Sequence, residues 1–361
     1  LAIGAGVISI YALMRLPSVG LYGINGEGIA SAPIMKLDFL HRMMHVPLII
    51  FTYLTNFIFP NKLLINQSWV IYQATFADFY LPLLFDFFIV GVVVVLGIYI
   101  HKKHYAKFKD FIFFLSILLA ALGLHLHLIP VFDMTLTDRW FYLPIIGLIG
   151  LLGVGFNNMK ITNAMLKIVM LVIAVVILLS LSMRVVYRNL DWKNEFMLVK
   201  HDVQYSRESY HLEQILANNY FHDDLNKAIH HYERSIAIYP YFTNYTNLGT
   251  SYMKKKEYDK AEESYKKALK IGKYFLTYEQ LAVLYYSKKQ DYQLTKQITL
   301  EGLKMYPKNQ KLLLLLTLSY YKLDDLENAK KSAAVCFNRT KNKDCYTIYM
   351  GITKNLPIKG I

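Results

Sequence analysis

Cysteine is nearly missing from this sequence: two in 361 residues, Cys336 and Cys345, both near the C-terminal end. No histidine or cysteine pattern suited to a metal accompanies them, which excludes a cysteine–histidine metal site. The two could pair if their domain lies outside the cytosol, or stand as free thiols. Charge is scarce in one half only. Residues 1–183 hold 11 Lys and Arg and 7 Asp and Glu, whereas residues 184–361 hold 29 and 19. The net charge of +14 thus divides into +4 and +10. At 55% hydrophobic and 18% charged, the chain is too apolar for an ordinary soluble protein and too charged for a membrane bundle alone. A split chain follows, with its break near Arg184. The opening run LAIGAGVISIYALM has no basic stretch ahead of it and no small-residue cleavage site, so it does not read as a signal peptide. It reads instead as a clipped membrane span in a fragment that lacks its N-terminal part.

A span needs roughly 20 apolar residues. The candidates are Leu1–Leu16, His45–Phe59, Phe79–Ile100, Phe111–Phe132, Trp140–Phe156 and Leu166–Met183, the second and fifth being short. The link 101–110 carries four lysines and the link 157–167 carries two; the links 60–78 and 131–139 carry one basic residue each. The basic pair of links is therefore expected in the cytoplasm and the other pair outside. The last span then delivers the C-terminal half to the non-cytoplasmic side. The side of residues 17–44 stays open.

On this layout Asp138 and Arg139 sit at the outer mouth of the fifth span, with Trp140, Phe141 and Tyr142 as an interfacial aromatic belt. An arginine there either snorkels and pairs with Asp138, or meets a phosphate with its guanidinium fork. Asp86 lies about 10 Å along a helix from Phe79, and an intramembrane carboxylate marks a wet cavity or a hydrogen bond to a neighbouring helix. His125 and His127 are about 200° apart on a helix, so they share no ligand unless the helix breaks before Pro130. One of them could still line a polar pocket.

The second half repeats itself. Leu248, Gly249 and Tyr252 mark one helix, and Ala261, Tyr265 and Ala268 the next. Ala228, Tyr232 and Ser235 stand 33 residues earlier, with Pro240 closing that unit. Ala329 stands 68 residues after Ala261, twice the period of about 34. Tyr278, Leu281, Ala282 and Tyr285 begin another unit that Pro307 closes. The order of large, small and aromatic positions matches the tetratricopeptide pattern. Small residues let paired helices approach, and aromatics fill the groove to the next pair. Four units are expected, roughly 208–240, 242–274, 275–308 and 310–342. The second helix of the third is degenerate, with Thr295, Thr299 and Gly302 at its marker positions. Such a solenoid implies a protein or peptide partner in its groove. Without a nucleic-acid reading module, nucleic acid is excluded.

The order of parts resembles a known family. A multi-span region precedes T-D-R-W-F-Y-L-P-I-I-G; a final span, R-N-L-D-W-K-N-E and tetratricopeptide units follow. This is similar to the transmembrane and tetratricopeptide-repeat O-mannosyltransferases and their bacterial relatives. Asp138, Arg139, Phe141, Tyr142, Leu143, Pro144 and Gly147 match the family's outer loop, with Trp140 and Ile146 departing from it. Tyr53–Leu64 is similar to its Y-L…P…L segment, and Trp192, Asn194 and Glu195 match its W-x-N-E lead-in. The resemblance implies a C-type glycosyltransferase taking a hexose or mannose from a polyprenyl-phosphate-linked donor, without metal or other cofactor. Transfer to a protein hydroxyl would occur on the periplasmic, extracellular or lumenal face. Arg139 would hold the donor phosphate, Asp138 would orient Arg139, and Tyr142 would line the lipid side. The family's acidic catalytic motif is expected in an outer loop ahead of Leu1, and Asp86 lies in the wrong segment to replace it.

The sequence thus predicts an all-α protein: a polytopic transmembrane helical bundle (1–183), a linking helix (184–207), a tetratricopeptide solenoid (208–342) and a tail or capping helix (343–361). The alternative is a membrane-anchored repeat adaptor with no chemistry.

Overall fold

The computed structural model describes residues 32–60, 62–128, 132, 134–157, 163–341 and 343–354. Among them the architecture is helical, with one isolated β-bridge between Gln67 and Leu136. The chain divides into two compact units, Leu1–Leu212 and Glu213–Ile361.

The first unit contains α1 (Phe39–Met43), α2 (Val46–Ile58), α3 (Leu81–Lys103, led by a wide turn Phe76–Tyr80), α4 (Tyr105–Gly123), α5 (Tyr142–Asn157), α6 (Ala164–Asp191) and α7 (Glu195–Tyr205). Among the described residues three helical stretches are long and apolar enough to cross a membrane: Phe76–Lys103, Asp138–Phe156 and Ala164–Asp191. They correspond to three of the six expected spans. The 13 residues of α2 reach only about 20 Å against a hydrocarbon core of about 30 Å. The fourth expected span, Phe111–Phe132, lies partly outside the described residues; its described part is helical to Gly123, in α4, whose first turns carry Lys107, Lys109 and Asp110. The expected Leu1–Leu16 span lies outside the described residues.

Side chains sort by environment. Leu48, Ile49 and Tyr53 of α2 pack with Trp69, Ile71, Leu136 and Phe141 and with Leu118, Leu122 and Leu151 into one core. Glycine brings α4 and α5 together: a Cβ at Gly147 would lie 2.6 Å from the Leu118 nitrogen, and one at Gly150 would run into the Phe114 ring. Such small-residue notches are how apolar helices meet where water supplies no driving force. In contrast, the most apolar stretch of α6 has 0% of its residues buried. A stretch apolar all round and covered by none of the described residues suits a hydrocarbon solvent.

The second unit is a series of helix pairs. Helix α8 (Tyr210–Tyr220) leads to α9 (Leu225–Ile238), and α10 (Phe242–Lys254) pairs with α11 (Tyr258–Ile271). Next come α12 (Phe275–Leu284) with α13 (Tyr292–Met305), α14 (Gln310–Lys322) with α15 (Leu326–Thr340), and a last helix α16 (Lys343–Thr353). Asp224, Asp291, Asn309 and Asp325 cap helix N-termini with their side-chain oxygens. Lys256, Gln290 and Asp324 take left-handed conformations (φ 67°, 55° and 57°) at the elbows between paired helices, each 34 residues after the last.

The marker positions are buried as the pattern requires: Ala228, Tyr232 and Ser235; Ala261, Tyr265 and Ala268; Ala329, Ala333 and Cys336. The degenerate third unit obeys the same rule by other means. Thr295 and Thr299 are fully buried and turn their hydroxyls back to the carbonyls of Asp291 and Thr295, at 2.7 and 2.8 Å. At Gly302 a Cβ would lie 2.8 Å from Leu312 and 3.0 Å from the Tyr278 ring. Between α12 and its elbow runs a wide five-residue turn, Tyr285–Lys289, closed by Asp291 N–H donating to the Tyr285 carbonyl at 3.0 Å. Glu262, beside it, is opposed by burial, yet its bonds to Lys266, Lys289 and Tyr285 hold its carboxyl down at about 2. Cys336 and Cys345 form a disulfide that ties α15 to α16, settling the pairing the sequence left open.

Gly249 gives the sharpest test of this packing, since a Cβ there would lie 2.7 Å from the Tyr265 ring. Gly249→Val is expected to lower the opening free energy of α10 and α11 by about 1–3 kcal/mol in hydrogen exchange on the full chain. Gly91→Ala, where a Cβ meets nothing within 4 Å, should leave exchange unchanged.

Candidate functional site

The described residues of the first unit enclose a cleft of about 360 Å³. Its wall on α2 is Phe51, Thr52, Thr55 and Asn56, and its other wall comes from Lys62, Leu64, Gln67 and Trp69 of the connecting segment, with Tyr205 and Arg207. Local geometry explains why this segment, without helix or strand, holds one shape. Gln67 N–H donates to the Leu136 carbonyl at 2.9 Å, and Thr135 N–H returns to the Gln67 carbonyl at 2.8 Å. The Trp69 indole donates to Gln67 Oε1 at 2.9 Å, and the Thr135 hydroxyl donates to the Trp69 carbonyl at 2.6 Å. His45 Nε2 accepts from Ile71 N–H at 2.9 Å while Nδ1 lies 2.9 Å from the His41 carbonyl, which puts the ring proton on Nδ1.

Two carboxylates complete the anchoring. Asp138 Oδ2 accepts from Leu64 N–H at 2.6 Å, and Asp202 Oδ2 accepts from the next amide, Ile65 N–H, at 2.8 Å. Asp202 is fully buried. Its other oxygen receives Arg188 Nη2 at 2.8 Å, and Arg188 Nη1 reaches Asp191 at 3.0 Å. His201 Nδ1 lies 3.0 Å from both Asp202 Oδ1 and Arg188 Nη1. Arg207 pairs with Asp78 and stacks 5.8 Å over the Trp69 ring, and Arg184 Nε donates to the Pro60 carbonyl at 2.8 Å.

The residues singled out from sequence separate into groups. Arg139 is exposed and donates to Asn66 Oδ1 at 3.4 Å, in the segment that walls the cleft. Asp138 turns the other way, to Leu64, so it does not orient Arg139 as expected: neighbours at the start of a helix point to different sides. Tyr142 is exposed, whereas Phe141 is buried and stacks on Tyr53 at 4.8 Å, so the expected aromatic belt loses its middle member to the core. Helix α4 does break early, and His127 takes φ 57°. Both histidine rings thereby meet Trp140, His125 at 5.2 Å and His127 at 6.0 Å. Asp86 lies in α3 and is not part of the cleft; its Oδ1 is buried with no hydrogen-bond partner among the described residues. Among the described residues no group of three or more His, Cys, Asp or Glu side chains is placed to hold a metal ion. Sequence reasoning missed Arg188, Asp202, Lys62 and Arg207. The Arg188…Asp191 spacing inside R-N-L-D-W-K-N-E was the available signal for the first. Asn194 of that motif is a helix cap, accepting from Met197 N–H at 2.8 Å.

Comparison with known proteins bears on the second unit. The tetratricopeptide repeat family matches residues 245–273, so the chain contains such a repeat. Solved structures that resemble it include YrrB, described as "a TPR protein with an unusual peptide-binding site", at 15% identity and TM-score 0.39, covering 44% of this chain and 82% of that one. MamA resembles it at 15% identity and TM-score 0.38, covering 41% and 88%. The pilF protein of Pseudomonas aeruginosa does so at 14% and 0.40, covering 44% and 73%. Comparison with curated proteins finds no match.

Removing Arg188 leaves Asp202 buried without its cation. Arg188→Met is expected to destabilise the first unit by about 3–5 kcal/mol, read as thermal unfolding in nanodiscs. Adding Asp202→Asn should cost less than the two single effects summed, because the pair acts as a unit.

Proposed function

We propose that this chain is a membrane glycosyltransferase whose polar cleft lies at the extracytosolic mouth of its apolar helices and whose repeats bind the acceptor protein. The observation that carries the reading is the cleft itself: Lys62 and Arg207 line it, and Arg139 reaches the segment that walls it. A donor linked through phosphate to a polyprenol presents negative charge at the membrane surface. Guanidinium and ammonium groups placed there stabilise the phosphate as the glycosidic bond breaks. In this reading Arg139 meets the donor phosphate, Tyr142 lies along the lipid, and Asp138 acts by fixing the cleft wall. Asp86, His125 and His127 contribute polar surroundings and no assigned step. No described residue is assigned as the base that deprotonates the acceptor hydroxyl.

The sidedness rests on three supports. The start of Asp138–Phe156 and the end of Ala164–Asp191 bond to the 60–66 segment through Asp138, Arg184 and Arg188 with Asp202, and the start of Phe76–Lys103 bonds through Asp78 to Arg207, which lines the same cleft. The lysine-rich link 101–110 follows the opposite end of α3, which suits a cytoplasmic face. The Cys336–Cys345 disulfide suits an oxidising compartment, whether periplasm, cell exterior or ER lumen.

A second reading, a membrane-anchored adaptor without chemistry, is favoured by the repeat match at 245–273, which speaks for protein binding alone. A photoactivatable polyprenyl-phosphate sugar analogue separates the two. It should label the reconstituted protein, and Arg139→Ala should reduce labelling roughly tenfold with the repeats still folded. Absence of labelling in the wild type would leave the adaptor. For sidedness, Lys102→Cys should be shielded from a membrane-impermeant maleimide in intact cells, and Lys288→Cys should react.

A further inference from the structure

The second unit carries a groove of about 420 Å³ that runs between α11 and α13, the second helices of two successive pairs. Its floor is apolar and well packed: Leu269, Leu281, Tyr285 and Ile298 are all buried. Above the floor Leu294 is 36% exposed, an apolar side chain with an open face. One wall is cationic. Lys266 and Lys270 stand one turn apart near the end of α11, Lys273 follows just past that end, and all three line the groove. The facing wall offers Gln297 and a single acid, Glu301, which already accepts from the Tyr278 hydroxyl at 2.9 Å and from Lys273 at 3.3 Å. Lys266 pairs with Glu262, while Lys270 has no ion pair among the described residues.

We infer that this groove is a docking site for an acidic segment of a partner protein, in which carboxylates alternate with bulky apolar side chains. The apolar floor and Leu294 receive the apolar members, and Lys270 with its neighbours receives the carboxylates. The Lys273–Glu301 pair is exposed on both sides, so it is weak and can exchange partners, while Lys266 stays with Glu262. A second copy of this chain is a poor occupant, because residues 184–361 carry 29 basic against 19 acidic residues and like charge opposes like. The inference rests on the reading of the second unit as protein-binding and not on the transferase chemistry.

The test uses the full chain in nanodiscs and a short fluorescein-labelled peptide alternating Glu with Leu, read by fluorescence anisotropy. The peptide should bind, and Lys270→Glu should weaken it about tenfold, with Lys270→Arg restoring affinity. Leu294→Asn should weaken it as well, and a photo-crosslinking residue at position 297 should capture the peptide. The inference is overturned if Lys270→Glu binds unchanged, if a peptide alternating Lys with Leu binds as tightly, or if position 297 captures a second copy of the chain. Donor labelling at Arg139 is independent of every one of these results, so failure here and failure of the transferase reading are told apart.

Discussion

Two inward-turned carboxylates holding the consecutive amides of Leu64 and Ile65 are the constraint on which the first unit depends. A segment without helix or strand has no ladder to satisfy its N–H groups, and an amide buried without an acceptor is costly. Asp138 and Asp202 supply charged acceptors, which make the stronger bonds. They come from points 64 residues apart in the chain, one just ahead of α5 and one in α7. The segment that walls the cleft is thereby tied to the start of one apolar helix and, through Arg188, to the end of the next. Arg188 makes the arrangement tolerable by neutralising the buried Asp202. The cleft's shape is accordingly a property of the helix ends and not of the segment's own sequence.

The same constraint separates what was legible beforehand from what was not. Length and hydropathy alone pick out the runs Phe79–Ile100, Trp140–Phe156 and Leu166–Met183, each of which falls in a helical stretch long and apolar enough to cross a membrane. His45–Phe59 misleads because the short α2 is apolar for a different reason: Leu48, Ile49 and Tyr53 face a protein core. The adjacency of Asp138 and Arg139 suggested a pair, whereas they bond separate partners, Leu64 and Asn66, in one segment. Asp202 was invisible. It lies in an ordinary mixed helix, and only a contact across 137 residues gives it meaning.

The repeats were easier to read because their constraint is local and recurs. Small side chains at the helix crossings are dictated by close approach, as Gly249 against Tyr265 shows. Where the usual types are missing, size still decides. Thr295 and Thr299 become acceptable in the interior because each hydroxyl finds a carbonyl one turn back. The sequence pattern marks that unit as degenerate; the packing shows it obeying the same volume rule with polar atoms satisfied.

The elbows at Lys256, Gln290 and Asp324 keep an even pitch although the helices before them do not. Fifteen residues separate Phe275 from Gln290, against fourteen from Phe242 to Lys256 and from Gln310 to Asp324. The surplus residue is taken up in the wide Tyr285–Lys289 turn, which acts as a slack coil in an otherwise regular spring. An irregular length is thus swallowed within one helix, and the phase of the array passes on undisturbed to α14 and α15.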